Sequence, residues 1–187
     1  MGGKGNILNI LEVVTDANTI LRKAGIEEVV AKYPDVNIVQ EIEDMTTIED
    51  ALEKISSAIS AKRNEIDGVI CTGFTTTVAT TQIVSEINEE SAKRMYFIGI
   101  DEDPTVMDAI RKGTIDATVV QNPFGHGYIP MMLLKYIEEG YTPKAGKYFV
   151  NAGMAIVTKD NIDSYGKDLE AVTNGILENL TTEYLTK

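Results

Sequence analysis

Cysteine and histidine are almost absent from this sequence. Its 187 residues contain one cysteine, Cys71, and one histidine, His126. A single cysteine excludes an internal disulfide and a zinc site built from several cysteines. No acid at a useful spacing orients His126, so a nucleophilic cysteine activated by that histidine is not favoured. We therefore expect no metal site, no cofactor and no catalytic residue, with Cys71 as a small buried strand residue.

Positive charge and long apolar runs are also scarce. Lys and Arg number 17 against 29 Asp and Glu, which gives a formal net charge of −12. Nucleic acids and anionic membranes attract clustered cations, so neither is an expected partner. No apolar run approaches the length of a membrane span. The N-terminus, residues 1–6, lacks the apolar core of a signal peptide, so we see no leader in this chain.

Glycine-rich phosphate loops are missing as well. Neither residues 2–5 nor residues 72–75 match the glycine spacing of a P-loop or of the dinucleotide-binding fingerprint, which requires a strand-to-helix turn. The segment after the predicted third strand is rich in threonine instead, and we expect Thr75, Thr76 and Thr77 to cap the following helix. A nucleotide cofactor is therefore not predicted.

What the sequence does contain is a regular alternation of strands and helices. The strands are predicted at residues 7–14, 36–41, 68–71, 95–100 and 117–121. The helices are predicted at residues 18–32, 47–62, 75–89 and 104–112. This order is typical of an α/β fold with a doubly wound parallel sheet, covered by helices on both faces.

The pattern changes after the fifth predicted strand. Residues 122–127 are predicted to form a turn-rich joint, followed by an apolar helix at 128–139. A strand at 148–158 and an acidic, amphipathic tail at 161–187 come next. The fold therefore carries an extra C-terminal helix, strand and helical tail.

In parallel α/β sheets, ligands bind outside the carboxyl ends of the strands. Arg22 lies near that edge and is either a hydrogen-bond donor to a hydroxylated or carboxylated ligand, or one half of a surface salt bridge. Asp101, Glu102 and Asp103 follow the fourth strand. Three carboxylates could perform acid–base chemistry or hold a cation, but we prefer the interpretation in which Asp103 caps a helix and Asp101 accepts a hydrogen bond.

Several short motifs occur in an order that resembles the type I sugar-binding receptors of ABC transporters, which are relatives of the sensor domains of lac-repressor-type regulators. These motifs stand at residues 22–26 (RKAGI), 31–34 (AKYP), 66–70 (IDGVI), 98–101 (IGID, with Pro104), 109–113 (AIRKG), 117–123 (ATVVQNP) and 158–163 (TKDNID). They cover nearly the whole chain. The resemblance implies a lobe of the type I periplasmic-binding-protein fold and no enzymatic activity.

The resemblance also implies which residues contact a sugar. Arg22 would donate to sugar hydroxyls, Asp101 would accept from a hydroxyl pair, and Gln121 would contact the ligand from the hinge side. Gly73 and Phe74 stand where many such receptors have Asn-Asp. Around the same edge we add two further ligand-binding candidates, Asn18 and Thr46, and Met45-Thr46 stands where relatives often carry an aromatic ring.

From the resemblance we expect residues 1–122 to form the second lobe of a two-lobe receptor. Residues 123–157 correspond to the hinge, helix and strand that normally belong to the first lobe, and residues 158–187 to the return segment and tail. Such a half-receptor is expected to bind its ligand weakly alone. The intact receptor would be extracytoplasmic, either periplasmic or a lipid-anchored protein, and would deliver its sugar to an ABC permease.

Two alternatives to transport are the effector-binding domain of a sugar-responsive lac-repressor-type regulator and a sugar isomerase or hydrolase that uses Asp101 and Glu102. The first would need a helix-turn-helix and a basic surface, and neither is present here. The second is required by no motif in the sequence.

The predicted helix at 128–139 carries an apolar stripe with helical spacing, formed by Ile129, Met132, Leu133, Tyr136 and Ile137. We expect this stripe to be buried against another subunit or against the C-terminal tail. The sequence therefore favours a homodimer, one form of which exchanges the segment after Pro123.

Overall fold

A computed structural model describes all 187 residues. The strands are β1 (Gly5–Ile10), β2 (Val36–Ile42), β3 (Gly68–Cys71), β4 (Tyr96–Ile100), β5 (Ala117–Gln121), β6 (Thr142–Pro143), β7 (Met154–Thr158) and β8 (Leu185–Thr186). The helices are α1 (Ala17–Val30), α2 (Ile48–Ala61), α3 (Phe74–Glu90), α4 (Pro104–Lys112), α5 (Pro123–Glu138) and α6 (Tyr165–Asn179). A short π-helical turn, Leu180–Tyr184, follows α6. None of the helices is long and apolar enough to cross a membrane.

The chain divides into two compact units. The first comprises residues 1–119 and 158–162, and the second comprises residues 120–157 and 163–187. The strand order is β2-β1-β3-β4-β5-β7, and the pairs from β2 to β5 are all parallel. The predicted α/β fold with a parallel sheet is therefore confirmed.

In the first unit, one face of the sheet carries the core. Register pairs Leu8 with Val69 and Val69 with Phe97, and all three side chains are buried. The helices α2, α3 and α4 cover this face, with α3 packed between the other two. On the opposite face Asn9 bonds to Glu41, and Lys23 of α1 forms an ion pair with the same Glu41. Helices thus lie on both faces, as a doubly wound sheet requires.

Local signals in the sequence place several helix ends. The side chain of Thr47 accepts from the N–H of Asp50 at the start of α2. Asp103 caps α4 with Pro104 as its first residue, and Gly113 ends it in the left-handed conformation with φ +80°. Only glycine adopts that conformation without steric cost, so this boundary is predictable from a few residues.

The predicted turn-rich joint at 122–127 is wrong, because α5 begins at Pro123. The side chain of Asn122 caps the helix by accepting from the N–H of Gly125 at 3.0 Å. A Cβ at Gly125 would lie 2.4 Å from Nδ2 of Asn122. This glycine therefore serves close packing inside the first helical turn rather than a loop.

The second unit has its own apolar cluster, built from Ile129, Ala152 and Leu180. Met132, Leu133, Tyr136, Val150, Ile176, Leu177 and Tyr184 pack around it. Four of the five stripe residues of α5 are thus covered by the C-terminal segment, one of the two expected partners, while Ile137 is 51% exposed. A two-stranded antiparallel sheet, β6 with β8, was not predicted.

Candidate ligand-binding site

The carboxyl ends of β1, β3 and β4 meet at one edge of the first unit, because neighbouring strands are parallel. Backbone pairing continues past the strand ends. The N–H of Thr72 donates to the carbonyl of Ile10 at 2.9 Å, and the N–H of Asp101 donates to the carbonyl of Val119 at 2.8 Å. This edge is the place where a doubly wound sheet offers a ligand site.

Arg22 lies on α1 and reaches this edge. The helix begins after Asp16, whose side chain accepts from the N–H groups of Asn18 and Thr19, each at 3.0 Å. One guanidinium nitrogen of Arg22, Nη1, donates to the carbonyl of Thr72 at 2.8 Å, and the side chain makes no ion pair in the structure. The half-buried guanidinium is held by a backbone group, which leaves its other N–H groups as donors.

Asn18 and Thr46 are both exposed, the first in the opening turn of α1 and the second just before α2. The neighbouring Met45 is fully buried and belongs to the core. Asp44 adopts a left-handed conformation with φ +59°, which an aspartate tolerates better than most residues. The chain after β2 therefore turns one side chain inward and presents Thr46 to solvent.

Gly73 is the residue that caps α3, and Phe74 is the first residue of that helix. The prediction that Thr75, Thr76 and Thr77 cap this helix is wrong. The hydroxyls of Thr76 and Thr77 donate backwards to the carbonyl of Gly73, at 3.1 and 2.7 Å. Phe74 is 42% exposed, so an aromatic side chain is present at the surface of this edge.

Glu12 provides the cap that the threonines do not. Its Oε1 accepts from the backbone N–H of Thr75 at 2.9 Å, and its own N–H donates to Oγ1 of Thr72 at 3.2 Å. The predicted strand at 7–14 placed Glu12 inside a regular strand, whereas β1 ends at Ile10. An acidic residue so close to a strand end was the signal that could have identified it.

Asp101 follows β4 in a left-handed conformation with φ +69°. Its carbonyl accepts from Oγ1 of Thr118 at 2.7 Å, in addition to the N–H bond to Val119. Non-glycine residues rarely adopt this conformation, and those that do are concentrated at functional sites. The half-buried carboxylate thus stands on a backbone fixed from both sides.

Cys71 ends β3 and is 1% exposed. Burial raises the pKa of its thiol to about 12, and its sulfur lies 3.2 Å from Oγ1 of Thr80. A thiol with such a pKa carries almost no thiolate at neutral pH and is a poor nucleophile. His126 is exposed in the first turns of α5, and no group of acidic, histidine and cysteine side chains in the chain could hold a metal ion.

Gln121 ends β5 with an exposed side chain and belongs to the second unit. The first unit thus brings together Arg22, Gly73, Phe74 and Asp101 at strand ends and helix starts. Asn18 and Thr46 lie in the segments that follow β1 and β2.

Comparison with known proteins gives this arrangement a family context. The model of the periplasmic binding protein domain matches residues 1–142. A xylitol-binding protein of Mycolicibacterium smegmatis is 26% identical over 163 residues, which cover 87% of this chain and 45% of that protein. A D-apiose import binding protein of Paraburkholderia graminis is 24% identical over 172 residues, covering 86% of this chain and 50% of that protein.

Among solved structures, a sugar-binding protein of a sugar ABC transporter from Bacillus halodurans superimposes with a TM-score of 0.76. It is 22% identical, and the match covers 88% of this chain and 58% of that one. At this identity the likeness shows the fold. The chain spans about half the length of the curated relatives it matches.

Proposed function

Because this chain belongs to the periplasmic binding protein family, whose members bind solutes and are not enzymes, we propose that it binds a sugar or a similar polyhydroxylated small molecule. The observation that supports the proposal best is the arrangement of Arg22, Phe74 and Asp101 around the carboxyl edge of the sheet. A guanidinium donor, a carboxylate acceptor and an exposed ring are the three groups that hydroxyls and the apolar face of a sugar need. The matching relatives that bind xylitol and D-apiose agree with this solute class.

The proposed role of each residue follows from its chemistry. Arg22 donates to one hydroxyl through the N–H groups that Thr72 leaves unused, and Asp101 accepts from a hydroxyl pair. Phe74 offers its ring to the C–H face of the solute, and Gly73, Asn18, Thr46 and Gln121 are proposed as further contacts.

We further propose that residues 1–122 are one lobe of the receptor and supply one wall of the site. Residues 123–157 would be its hinge, helix and strand, and residues 158–187 the return segment. A protein made of residues 1–187 alone should then bind sugars with millimolar or weaker dissociation constants, because one wall offers only part of the hydrogen bonds. The intact receptor would work outside the cytoplasm and hand its solute to an ABC permease.

An NMR titration of the 187-residue protein tests this function. Xylitol, D-apiose and D-arabinose, added up to about 100 mM, should shift the amide signals of Gly73, Phe74 and Asp101. Arg22→Met should raise the dissociation constant obtained from these shifts about tenfold, which corresponds to about 1.4 kcal/mol. Lys112→Met, at the C-terminal end of α4, is the matched control and should leave the dissociation constant unchanged. Shifts that are absent, or that occur only away from the strand ends, would reject the proposal.

We also propose that two copies associate through the outer side of α5. Its inner side is covered, but Phe124, Tyr128, Met131 and Leu134 are each at least 45% exposed and lie at helical spacing. The rings of Phe124 and Tyr128 stack with centroids 5.4 Å apart. Such an apolar surface is typical of an interface.

Sedimentation velocity measures this association directly. The wild-type protein should show a molar mass of twice 20.5 kDa. A Met131→Glu/Leu134→Glu double variant should show the mass of a monomer. Val29→Glu on the exposed face of α1 is the control and should remain dimeric. A dimer that exchanges the segment after Pro123 would persist in the double variant. A wild-type monomer at all concentrations would contradict the proposal.

A further inference from the structure

Glu12 is held at the strand-end edge from two sides. Its backbone N–H donates to Oγ1 of Thr72, and its Oε1 accepts from the N–H of Thr75 in the first turn of α3. The side chain is half-buried. Its second carboxylate oxygen, Oε2, makes no hydrogen bond in the structure. One oxygen is thus fixed and the other remains an acceptor.

The carboxylate of Glu12 occupies the space that a side chain at position 73 would need. A Cβ built on Gly73 would lie 1.7 Å from Oε2 and 2.5 Å from Cδ of Glu12. The backbone of Gly73 is extended, with φ −160°, a conformation that any residue adopts. Position 73 is therefore glycine because Glu12 lies against it.

We propose that Glu12 is a ligand-binding and specificity-determining residue of this edge, an inference that rests on the proposed function. The carboxylate lies against Gly73, the residue before Phe74, and the backbone N–H of Glu12 donates to the same Thr72 to which Arg22 is anchored. Oε2 accepts from a solute hydroxyl, while the N–H of Thr75 keeps the carboxylate in place. Since a carboxylate only accepts, it selects solutes that donate, and its charge rejects solutes that carry a carboxylate of their own.

Thermal unfolding of four proteins tests the spatial part of the inference. Gly73→Ala in the wild-type background displaces Glu12 and should lower Tm by about 2–4 °C. The same substitution in a Glu12→Gly background, which lacks the Oε2, Cδ and Cβ atoms of Glu12 that lie nearest to the new methyl group, should lower Tm less than in the wild type or leave it unchanged. Equal effects of Gly73→Ala in the two backgrounds would show that Glu12 does not hold this position.

Xylitol and D-xylonate test whether Glu12 selects the solute. D-xylonate carries a carboxylate where xylitol has a terminal hydroxymethyl group. Both are titrated into the 187-residue protein and into Glu12→Gln, which keeps an oxygen for the N–H of Thr75. We expect the wild type to bind xylitol and to reject D-xylonate. Glu12→Gln should bind xylitol about fivefold more weakly and should narrow the difference between the two solutes. Glu43→Gln, which removes an exposed carboxylate after β2, is the control.

The outcomes separate this inference from the function on which it rests. If the wild type binds xylitol and Glu12→Gln binds both solutes as the wild type does, Glu12 is a helix cap only and the inference is wrong. If no polyol shifts any signal at the strand ends of the wild type, the proposed function and the inference about Glu12 are both wrong. A loss of preference for xylitol over D-xylonate is not expected from a residue that acts only on stability.

Discussion

Asp67 shows how a single side chain ties stability to pH. Its Oδ2 accepts from the backbone N–H of Asn6 at 2.9 Å, and its Oδ1 lies 3.1 Å from Nζ of Lys93. The hydrogen bond from Asn6, assisted by the charge of Lys93, lowers the pKa of Asp67 from its usual 3.8. The charged form is favoured in the folded state, so its contribution to stability is present above pH 3.8 and is lost as the pH falls through the lower folded value.

Asp67→Asn should therefore lower the free energy of unfolding at pH 7. At acidic pH the variant and the wild type should become similar in stability. The gap between the wild type and the variant should narrow below about pH 4, because Asp67 is then protonated in the unfolded wild type and increasingly so in the folded one. Urea unfolding at pH 7, 4 and 3 measures the gap. Glu53→Gln, at an exposed position of α2, is the control. A gap that stays constant across this range would contradict the assignment.

The residues of the candidate site differ in how far sequence could identify them. Arg22 and Asp101 stand beside a recognisable helix and strand, so a local pattern marked their positions. The role of Glu12 depends on a contact with Thr75, which is 63 residues away in the chain. No local pattern encodes such a contact. Proximity between β1 and the start of α3 appears only once the sheet order is known.

Helices and strands of this chain follow local rules where one residue decides a boundary. The proline and glycine around α4 and the threonine before α2 are such cases, and both helices lie where the sequence predicts them. The start of α5 does not follow these rules, because Gly125 and Gly127 suggest a loop. What makes this segment helical is the buried side chain of Asn122, whose partners lie 30 and 51 residues away.

Asn122 thus connects three segments of the second unit. Its Nδ2 donates to the carbonyl of Ala152 and to Oγ1 of Thr173, each at 2.8 Å, and its Oδ1 caps α5 through Gly125. Asn122→Ala removes the partner of the Ala152 carbonyl and of the Gly125 N–H in a buried place, while the hydroxyl of Thr173 keeps its bond to the carbonyl of Leu169. We expect a loss of about 2–4 kcal/mol in the free energy of unfolding, measured by urea denaturation.

A graded series distinguishes this network from a general packing defect. Thr173→Val, which removes one partner and keeps the shape, should cost about 1 kcal/mol. Asn174→Ala, exposed on the same helix, should cost little. If Thr173→Val proved as damaging as Asn122→Ala, the hydrogen bonds of Asn122 would not be the source of its effect.

At the scale of the whole molecule, the net charge of −12 on 187 residues makes the excess acidic side chains repel one another. Most of the ion pairs are solvent-exposed, and exposed pairs contribute little to stability. Net repulsion opposes the compact state more than the unfolded one, because the folded charges are closer together.

Monovalent salt should therefore stabilise this protein. Between 10 and 150 mM NaCl the Debye length falls from about 30 to about 8 Å, so distant like charges no longer repel. We expect Tm to rise by a few degrees, measured by differential scanning calorimetry. Choline chloride at equal concentration should have the same effect if screening is the cause. No rise, or a rise with sodium alone, would exclude it.

The single thiol of Cys71 can report how often the end of β3 opens. A buried thiol reacts with a labelling reagent only when its strand opens, so the labelling rate of the native protein measures how often that opening occurs. Thr72, on which Arg22 is anchored, follows Cys71 directly. A solute bound at this edge should slow labelling by the factor by which it stabilises the closed form, one plus the ratio of its concentration to its Kd. The rate at which Cys71 is labelled in the wild-type protein can therefore measure weak solute binding without any added probe.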